Sequence, residues 1–237
     1  MKLTKLTDDC YLEIIKNLEY NHHSLFNYLL VNRLFCRFTV TLLWANPLNN
    51  INKVLIDVTS IFLIYLDENE KQQLTSSAYQ INLSCTRIFQ KTLFKYVDFL
   101  ETYHNYKIKN IISLWYQYTQ DRSKPSLEIS TFMAIQSMLF RRCKRIKKFY
   151  ISVVEDSSTF SLIPSFWFYS SELRECEFRF VVSNNHNMIV YNYINLISIR
   201  NKRIQTIRIM AYNKDIPSDC QEPFLNLISA QTELKEL

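Results

Sequence analysis

No glycine occurs anywhere in this chain of 237 residues. Glycine makes up about 7% of an average protein, and it is the residue that most readily adopts positive φ or lets a backbone approach a ligand closely. A Walker phosphate loop, a Rossmann dinucleotide turn and a Gly-x-Ser-x-Gly nucleophile elbow all need it, so these enzyme classes are excluded. We attribute the absence to a biased base composition of the gene, and the exclusion holds whatever the cause.

Composition points to a folded intracellular protein, because 48% of the residues are hydrophobic and 21% are charged. The segment Met1–Lys5 runs into charged residues without an apolar secretory core, so we expect no signal peptide. The most apolar run, Val54–Leu66, is short and contains Asp57, which favours a buried helix over a membrane span. The six cysteines form no Cys-x-x-Cys pair and are expected to be reduced thiols. We therefore predict a location in the cytoplasm, the nucleus or both.

Three helices are predicted within the first 48 residues. Thr7 or Asp8 is suited to cap a first helix, in which apolar residues recur at intervals of three and four. Ser24 is suited to cap a second helix, and a third runs from about Asn32 to Trp44. Their apolar surface exceeds what a unit of roughly 40 residues can bury internally. Part of that surface is therefore expected to face a partner.

This segment resembles an F-box of the expanded fungal type over about residues 3–48. A leucine precedes an Ile/Leu helix, and a Leu-Val-x-Arg-x-aromatic stretch and then Leu-Trp follow. Thr7 stands where the family usually has proline, and Phe35 where it usually has tryptophan. The resemblance implies docking to the Skp-type adaptor of a cullin-RING ubiquitin ligase. The adaptor-binding positions that it implies are Leu6, Ile14, Ile15, Leu18, Leu30, Val31, Arg33, Phe35 and Trp44. The alternative is a plain helical cap on a larger domain.

Residues 49–125 are predicted to form a mainly helical connecting region. Apolar runs predict helices over Val54–Leu66, over Leu93–Leu100 and over Tyr106–Tyr118. The polar stretch 120–126 predicts a loop, with the next helix beginning near Ser126. A degenerate first repeat within this region is left open.

Residues 126–237 contain a weak repeat, in which each unit has the form apolar-x-x-apolar-x-apolar that is typical of a short strand. The cores begin about 27 to 31 residues apart, and each follows a segment that is compatible with a helix. They are Ile146-x-x-Phe149-x-Ile151, Leu173-x-x-Cys176-x-Phe178, Ile204-x-x-Ile207-x-Ile209 and the partial core Leu234-x-x-Leu237.

A strand and a helix recurring at this period resemble leucine-rich repeats, in which stacked units complete one another's core. The predicted fold class is therefore α/β: a three-helix F-box over 1–48, the connecting region 49–125, and an irregular leucine-rich-repeat-like α/β solenoid over 126–237. The last core lacks its third apolar position, so the predicted solenoid is incomplete at Leu237. The alternative is chance alternation in an apolar α/β sequence.

A basic cluster occupies six of the eight positions from Arg141 to Lys148, and the net charge of the chain is +6. A helix-to-strand corner is the interpretation we favour, because Ile146 and Phe149 fall on a strand core and a helix C-terminus attracts cations. The alternatives are a localisation or substrate-steering patch, and nucleic-acid contact with Phe149 and Tyr150 stacking on bases.

No catalytic, cofactor-binding or metal-binding residue is assigned. The histidines have no metal-ligand spacing and are expected in solvated loops; they are His22, His23, His104 and His186. The sequence thus predicts a non-catalytic substrate-recognition subunit of a Skp-cullin-F-box ligase, with the N-terminal helices on the adaptor and the repeat surface on a protein target. The alternative is a ligase-independent repeat scaffold that binds a protein or nucleic acid. No membrane partner is expected.

Overall fold

The computed structural model describes residues 7–17, 21–49, 55–76, 92–119, 125–153, 172–180, 194–195, 197–211 and 218–237. The chain is a mixed α/β protein with a four-stranded parallel sheet. Within these ranges the helices include α1 (Asp8–Lys16), α2 (His22–Tyr28), α3 (Arg33–Ala45), α4 (Leu55–Ile64), α5 (Glu68–Ser76), α6 (Asn105–Thr119), α7 (Pro125–Arg142) and α8 (Ser218–Ser229). The strands are β1 (Thr102–His104), β2 (Lys148–Val153), β3 (Glu175–Phe180) and β4 (Thr206–Ala211).

Strand order in the sheet follows the order of the chain, and every neighbouring pair is parallel. Phe149 pairs with Cys176, and Cys176 pairs with Ile207. These residues hold the same place in the predicted strand cores, and all three side chains are buried. The three predicted cores are therefore confirmed as neighbouring strands in register, because matching apolar positions share the buried face.

A repeated backbone contact fixes this register at the corner where each strand begins. The carbonyl oxygen of Glu101 accepts hydrogen bonds from the amides of Lys147 at 2.8 Å and Lys148 at 3.1 Å. The carbonyls of Lys147, Arg174 and Gln205 each accept the same pair of bonds from the next segment of the chain. The last pair comes from residues 235 and 236, within the partial fourth core, which forms an isolated bridge to β4.

Strand β1 was not predicted. It pairs in parallel with β2 and extends the sheet into the connecting region. The buried residues Leu100 and Tyr103 lie one strand away from Ile146 and Phe149, and the rings of Tyr103 and Phe149 stack with centroids 5.1 Å apart. The connecting region and the predicted repeats therefore share one sheet.

The predicted helices of the connecting region have mixed outcomes. Those over Val54–Leu66 and Tyr106–Tyr118 are confirmed as α4 and α6, and α7 begins one residue before Ser126. The helix predicted over Leu93–Leu100 is wrong, because this stretch contains only a four-residue 3₁₀ helix, Tyr96–Phe99. Its buried residue, Val97, accepts a bond from the Cys143 thiol through its carbonyl oxygen.

One hydrophobic core extends from Leu48 to Leu227 and joins the helices to the buried face of the sheet. Helix α6 contacts α4, α7 and β2. Its residue Trp115 is fully buried, and the indole Nε1 donates to Ser60 Oγ on α4 at 3.2 Å. This bond satisfies the polar end of a large apolar side chain, so α4 and α6 are held in one fixed arrangement.

The first three helices enclose a second, smaller core made by Ile15, Leu25 and Leu43. Asparagine caps two of them: Asn21 Oδ1 accepts from Ser24 N at 3.1 Å, and Asn32 Oδ1 accepts from Phe35 N at 3.0 Å. The prediction that Ser24 caps this helix is therefore wrong: the cap is Asn21, and α2 begins at His22, two residues before Ser24. Both caps depend on the side-chain oxygen of asparagine, which satisfies a backbone amide at the start of the helix.

Candidate adaptor and target surfaces

Four of the predicted adaptor-binding residues are exposed. Ile14 lies on α1 with 45% of its surface accessible, whereas Leu30 and Val31 lie in the turn between α2 and α3 with 87% and 58% accessible. Arg33 opens α3 and is also exposed. Two backbone hydrogen bonds hold the turn: the amide of Leu30 donates to the carbonyl of Asn27, and the amide of Val31 donates to the carbonyl of Tyr28. Two large apolar side chains are thus displayed to solvent at a fixed backbone turn.

Three other predicted residues, Ile15, Phe35 and Trp44, pack against neighbouring helices. Ile15 is fully buried in the small core. The ring of Phe35 is partly buried between Tyr11, edge-on at 5.4 Å, and Tyr28, stacked at 5.3 Å. These contacts show that Ile15 and Phe35 hold the helices together.

Trp44 contacts both hydrophobic cores. Its ring contacts Tyr96 at 4.7 Å and Phe62 at 6.4 Å between centroids, and it also packs against the small core. Leu6 and Leu18 lie outside the described residues.

Sequence reasoning did not single out Phe26. This residue of α2 is 50% exposed, although its neighbour Leu25 is buried in the small core. The available signal was its place off the apolar stripe of Leu25, Tyr28 and Leu29, because a large aromatic residue on the polar side of a short helix is unusual. Phe26 adds to the apolar surface of the N-terminal unit.

The outward face of the sheet is the candidate target surface, and the sequence did not identify its residues. Because side chains alternate along a strand, Tyr150 points away from the core that holds Phe149. The register aligns it with His104 on β1 and with Glu177 on β3, and it aligns Glu177 with Arg208 on β4. The face is therefore lined by charged and aromatic side chains.

Glu175 organises the part of this face nearest the strand starts. Its carboxylate accepts a hydrogen bond from Tyr150 Oη at 2.6 Å and forms an ion pair with Arg208. Lys148 Nζ lies 3.5 Å from the same carboxylate. Burial by itself would raise the pKa of Glu175, but the bond from Tyr150 and the charges of Lys148 and Arg208 outweigh it and lower that pKa. Glu175 is thus held as a carboxylate that fixes side chains from the two strands beside it, β2 and β4.

His104 was expected in a solvated loop, and this expectation is wrong. It lies on β1 and stacks on Tyr150 with ring centroids 4.1 Å apart and planes at 12°. Burial lowers the pKa of His104 to about 3, and the positive charges of Lys107 and Arg179 add to the effect. Arg179 itself pairs with the buried carboxylate of Glu177. The imidazole of His104 is therefore neutral at physiological pH.

The basic cluster forms internal contacts at a helix-to-strand corner. Arg141, in the last turn of α7, makes two bonds to Glu70 at 2.8 and 2.9 Å. Arg145 and Lys147 both lie 3.0 Å from the carboxylate of Glu101.

Two further residues of the cluster have partners on other elements. The guanidinium of Arg142 lies over the ring of Tyr65, and Lys148 reaches Glu175. These pairings support the corner interpretation over nucleic-acid contact, because the charges are engaged with the protein. Phe149, one of the two proposed base-stacking residues, is buried.

The described cysteines differ in their surroundings. Cys143 and Cys176 are buried, and burial raises the pKa of both thiols, whereas Cys10 is exposed. Within the described ranges, no three His, Cys, Asp or Glu side chains are grouped so that they could hold a metal ion. None of the helices in that part of the chain is long and apolar enough to cross a bilayer.

Comparisons with protein-family models, with curated proteins and with solved structures find no match for this chain.

Proposed function

We propose that this protein is an F-box-like substrate-recognition subunit of a Skp-cullin-F-box ubiquitin ligase. Helices α1–α3 would bind the Skp-type adaptor, and the outward face of the parallel sheet would bind a protein target. The protein would catalyse no reaction itself, since its contribution is to raise the effective concentration of the target near the ligase and to orient it.

The observation that carries the proposal is the exposure of Leu30 and Val31. Both belong to the Leu-Val-x-Arg-x-aromatic stretch on which the F-box resemblance rests, and they are 87% and 58% accessible in a turn held by backbone bonds. Neighbouring exposed apolar side chains that form a patch are typical of a protein-interaction site. A short, rigid turn between two helices is suited to insertion among a partner's helices.

The target surface is supported by the strand register. Three segments that begin 27 to 31 residues apart contribute equivalent strands, so outward residues from separate segments form one continuous face. This is the arrangement by which leucine-rich repeats build an extended binding surface. The contacts of Glu175 with side chains of the neighbouring strands would preorganise that face for target binding.

The three-helix unit contacts the segment before β1 directly. The amide of Glu101 donates to the carbonyl of Ala45, the last residue of α3, at 2.9 Å, and Trp44 packs into both cores. A bound target would therefore be held at a defined position relative to the adaptor.

Direct binding of a purified Skp-type adaptor, measured by calorimetry on the full chain, tests the proposal. Leu30→Asp and Val31→Asp should each weaken binding at least tenfold, or about 1.4 kcal/mol, because a charge would enter an apolar contact. The matched control is Leu225→Asp on α8, which replaces an equally apolar side chain with 66% exposure. Circular dichroism should show all three variants folded, since each site is open to solvent.

A folded wild-type chain that does not bind the adaptor would remove the ligase assignment. The repeat scaffold that binds a protein without a ligase would then be the better description. Equal loss in Leu225→Asp would likewise count against an adaptor site in the α2–α3 turn.

A further inference from the structure

The net positive charge of the chain is concentrated where the strands begin. Five segments lead into β1, β2, β3, β4 and the final bridge to β4, and they are residues 95–101, 142–148, 172–175, 200–206 and 230–236. They hold eleven lysines and arginines against six aspartates and glutamates, an excess of five positive charges. The whole chain has a net charge of +6, so the rest of the sequence is nearly neutral. We call these five segments the basic edge.

Internal ion pairs neutralise only part of the basic edge. Arg145 and Lys147 share one carboxylate, because the guanidinium of Arg145 and the ammonium of Lys147 each lie 3.0 Å from Glu101. One positive charge therefore remains among these three side chains. The two cations are also open to solvent, with 46% and 44% of their side-chain surface accessible. Ion pairs at such exposure are weak, so an incoming carboxylate can replace them at little cost.

Arg174 adds a cation whose hydrogen bonds go to neutral groups. Its guanidinium lies 3.5 Å from the carbonyl oxygens of Leu173 and Arg203. Carbonyls carry no net charge, so these bonds do not cancel the charge of Arg174. The backbone amide of Arg174 donates to the carbonyl of Lys147 at 2.8 Å, which sets the two residues side by side at the starts of β2 and β3. Cations therefore occupy two adjacent corners of the sheet.

The backbone of the basic edge is fixed and evenly spaced. Amides of each segment donate to the carbonyl at the preceding corner, with distances of 2.8 to 3.1 Å. Neighbouring strands lie about 4.8 Å apart, so the four corners from Glu101 to Gln205 span about 14 Å. An extended chain of roughly five residues covers the same distance. A short peptide can therefore contact several corners at once.

The basic edge suits a peptide better than a nucleic acid. Glu233 and Glu236 are exposed carboxylates on the same edge, so they would repel an unbroken row of phosphates. A peptide can instead place its acidic side chains opposite the cations alone. Base stacking would need an exposed aromatic ring, but Phe149 is buried and Tyr150 is stacked on His104.

We propose that the basic edge binds an acidic, extended segment of a partner protein, with Arg145, Lys147 and Arg174 as its main contacts. A guanidinium forms paired hydrogen bonds with a carboxylate, and an ammonium attracts it as a point charge. Carboxylates of the segment would compensate the positive charge that Glu101 leaves over. The site uses none of the residues assigned to the adaptor, so it does not depend on the ligase proposal.

Fluorescence anisotropy with the full chain tests the site. The probe is a fluorescein-labelled peptide of eight residues in which glutamate alternates with serine, and the reference peptide has glutamine in place of glutamate. We expect saturable binding of the glutamate peptide only. Raising the NaCl concentration from about 50 to about 300 mM should weaken that binding at least tenfold, because salt screens exposed charges.

Two double variants with the same change in net charge separate a site from general attraction. Lys147→Gln/Arg174→Gln should raise the dissociation constant at least tenfold. The control Lys16→Gln/Arg37→Gln removes two exposed cations from α1 and α3 and should leave it unchanged. Circular dichroism verifies that both chains are folded.

Glu101→Gln makes the opposite change. Without the shared carboxylate, Arg145 and Lys147 are available to the peptide, so the dissociation constant should fall at least threefold. Damage to the fold would weaken binding, so it cannot imitate this gain. A folded Glu101→Gln chain that binds no more tightly than wild type would contradict the proposed contacts.

The absence of saturable binding to the wild-type chain, or an equal loss in Lys16→Gln/Arg37→Gln, would overturn the site. Tighter binding of an oligothymidylate of equal charge would overturn the peptide assignment and identify the basic edge as a nucleic-acid site. No adaptor is present in these titrations, so their outcome is separate from that of the adaptor-binding experiment.

Discussion

Glu70 combines two structural tasks in a single side chain. Its Oε2 accepts from the amide of Asp67 at 2.9 Å while Asp67 Oδ1 accepts from the amide of Glu70 at 2.8 Å, which is a reciprocal cap at the start of α5. The same carboxylate receives the guanidinium of Arg141 at the end of α7. The start of one helix is thereby fastened to the end of another, at a point where both helix dipoles favour these charges.

Removal of Arg141 should therefore be costly. In Arg141→Met the carboxylate of Glu70, which is 9% exposed, loses both bonds and stays in place, so we expect the free energy of unfolding to fall by about 2 kcal/mol. Urea denaturation measures it. The control Arg145→Met breaks a more exposed pair with Glu101 and should cost less than about 1 kcal/mol. Equal losses in the two variants would contradict the special role of Glu70.

His104 should make stability depend on pH. Its folded pKa is about 3 against an ordinary value of 6.5, so between these values the unfolded chain takes up a proton that the folded chain does not. The free energy of unfolding is therefore not reduced by His104 above pH 6.5. It falls as the pH is lowered below that value, by up to about 2 kcal/mol at pH 5. The charges facing the ring are Lys107, Arg179 and Glu175.

His104→Phe provides the test, since phenylalanine can stack on Tyr150 but does not titrate. Urea unfolding at pH 7.5 and pH 5 should show a smaller drop in stability for the variant than for wild type. An identical drop in both chains would mean that His104 is protonated in the folded state.

At the scale of elements, β2, β3 and β4 share a buried face and an outward face. Side chains on the buried face contribute more to the free energy of unfolding than those on the outward face. Ile207 on β4 is fully buried, and Met210 on the same strand is 39% exposed. The buried position continues the row of Phe149 and Cys176, so it contributes to the packing of two neighbouring strands.

Truncation at these two positions should differ sharply. Ile207→Ala is expected to lower the free energy of unfolding by about 3 kcal/mol, because it removes buried methyl groups and leaves a cavity. Met210→Ala should cost less than about 1 kcal/mol. Chemical denaturation compares them directly, and a larger effect for Met210→Ala would contradict the assignment of the two faces.

The strands that the sequence predicts are those with apolar residues at all three core positions. Strand β1 was not predicted because the third core position of its segment, Leu100-x-x-Tyr103-x-Asn105, is polar. Asn105 is only 2% exposed, yet its side chain bonds both backbone groups of Ser152. It therefore replaces an apolar contact with hydrogen bonds that only the folded neighbour supplies.

The predicted adaptor-binding residues likewise show that a sequence pattern does not determine which side chains are buried. The spacing of Ile14 and Ile15 cannot decide which of two adjacent apolar side chains is buried, because the direction of the helix face depends on where α2 and α3 lie. The structure buries Ile15 and exposes Ile14. The outward residues of the sheet were harder still to predict, since Glu175, Tyr150 and Arg208 come from three separate segments.

At the scale of the whole molecule, Trp44 links the two hydrophobic cores. It packs against Tyr96 and Phe62 on one side and against the small core of the first three helices on the other. The three-helix unit and the body of the protein should therefore unfold together.

Trp44→Ala should uncouple them. We expect a loss of about 3 kcal/mol, from the removed aromatic contacts, and separate unfolding of the two parts. Hydrogen exchange followed by mass spectrometry should show faster exchange in α1–α3, with β2–β4 still protected. Uniform acceleration across the chain would show that other contacts are sufficient to couple the cores.

The corner contacts of the sheet also bear on how such a chain can change over generations. The carbonyls that set the register belong to Glu101, Lys147, Arg174 and Gln205, at intervals of 46, 27 and 31 residues. Since one backbone corner, rather than a constant segment length, aligns each strand, a gene can gain or lose codons between corners without shifting the residues that face outward. The length of the intervening chain and the composition of the sheet face can then evolve independently.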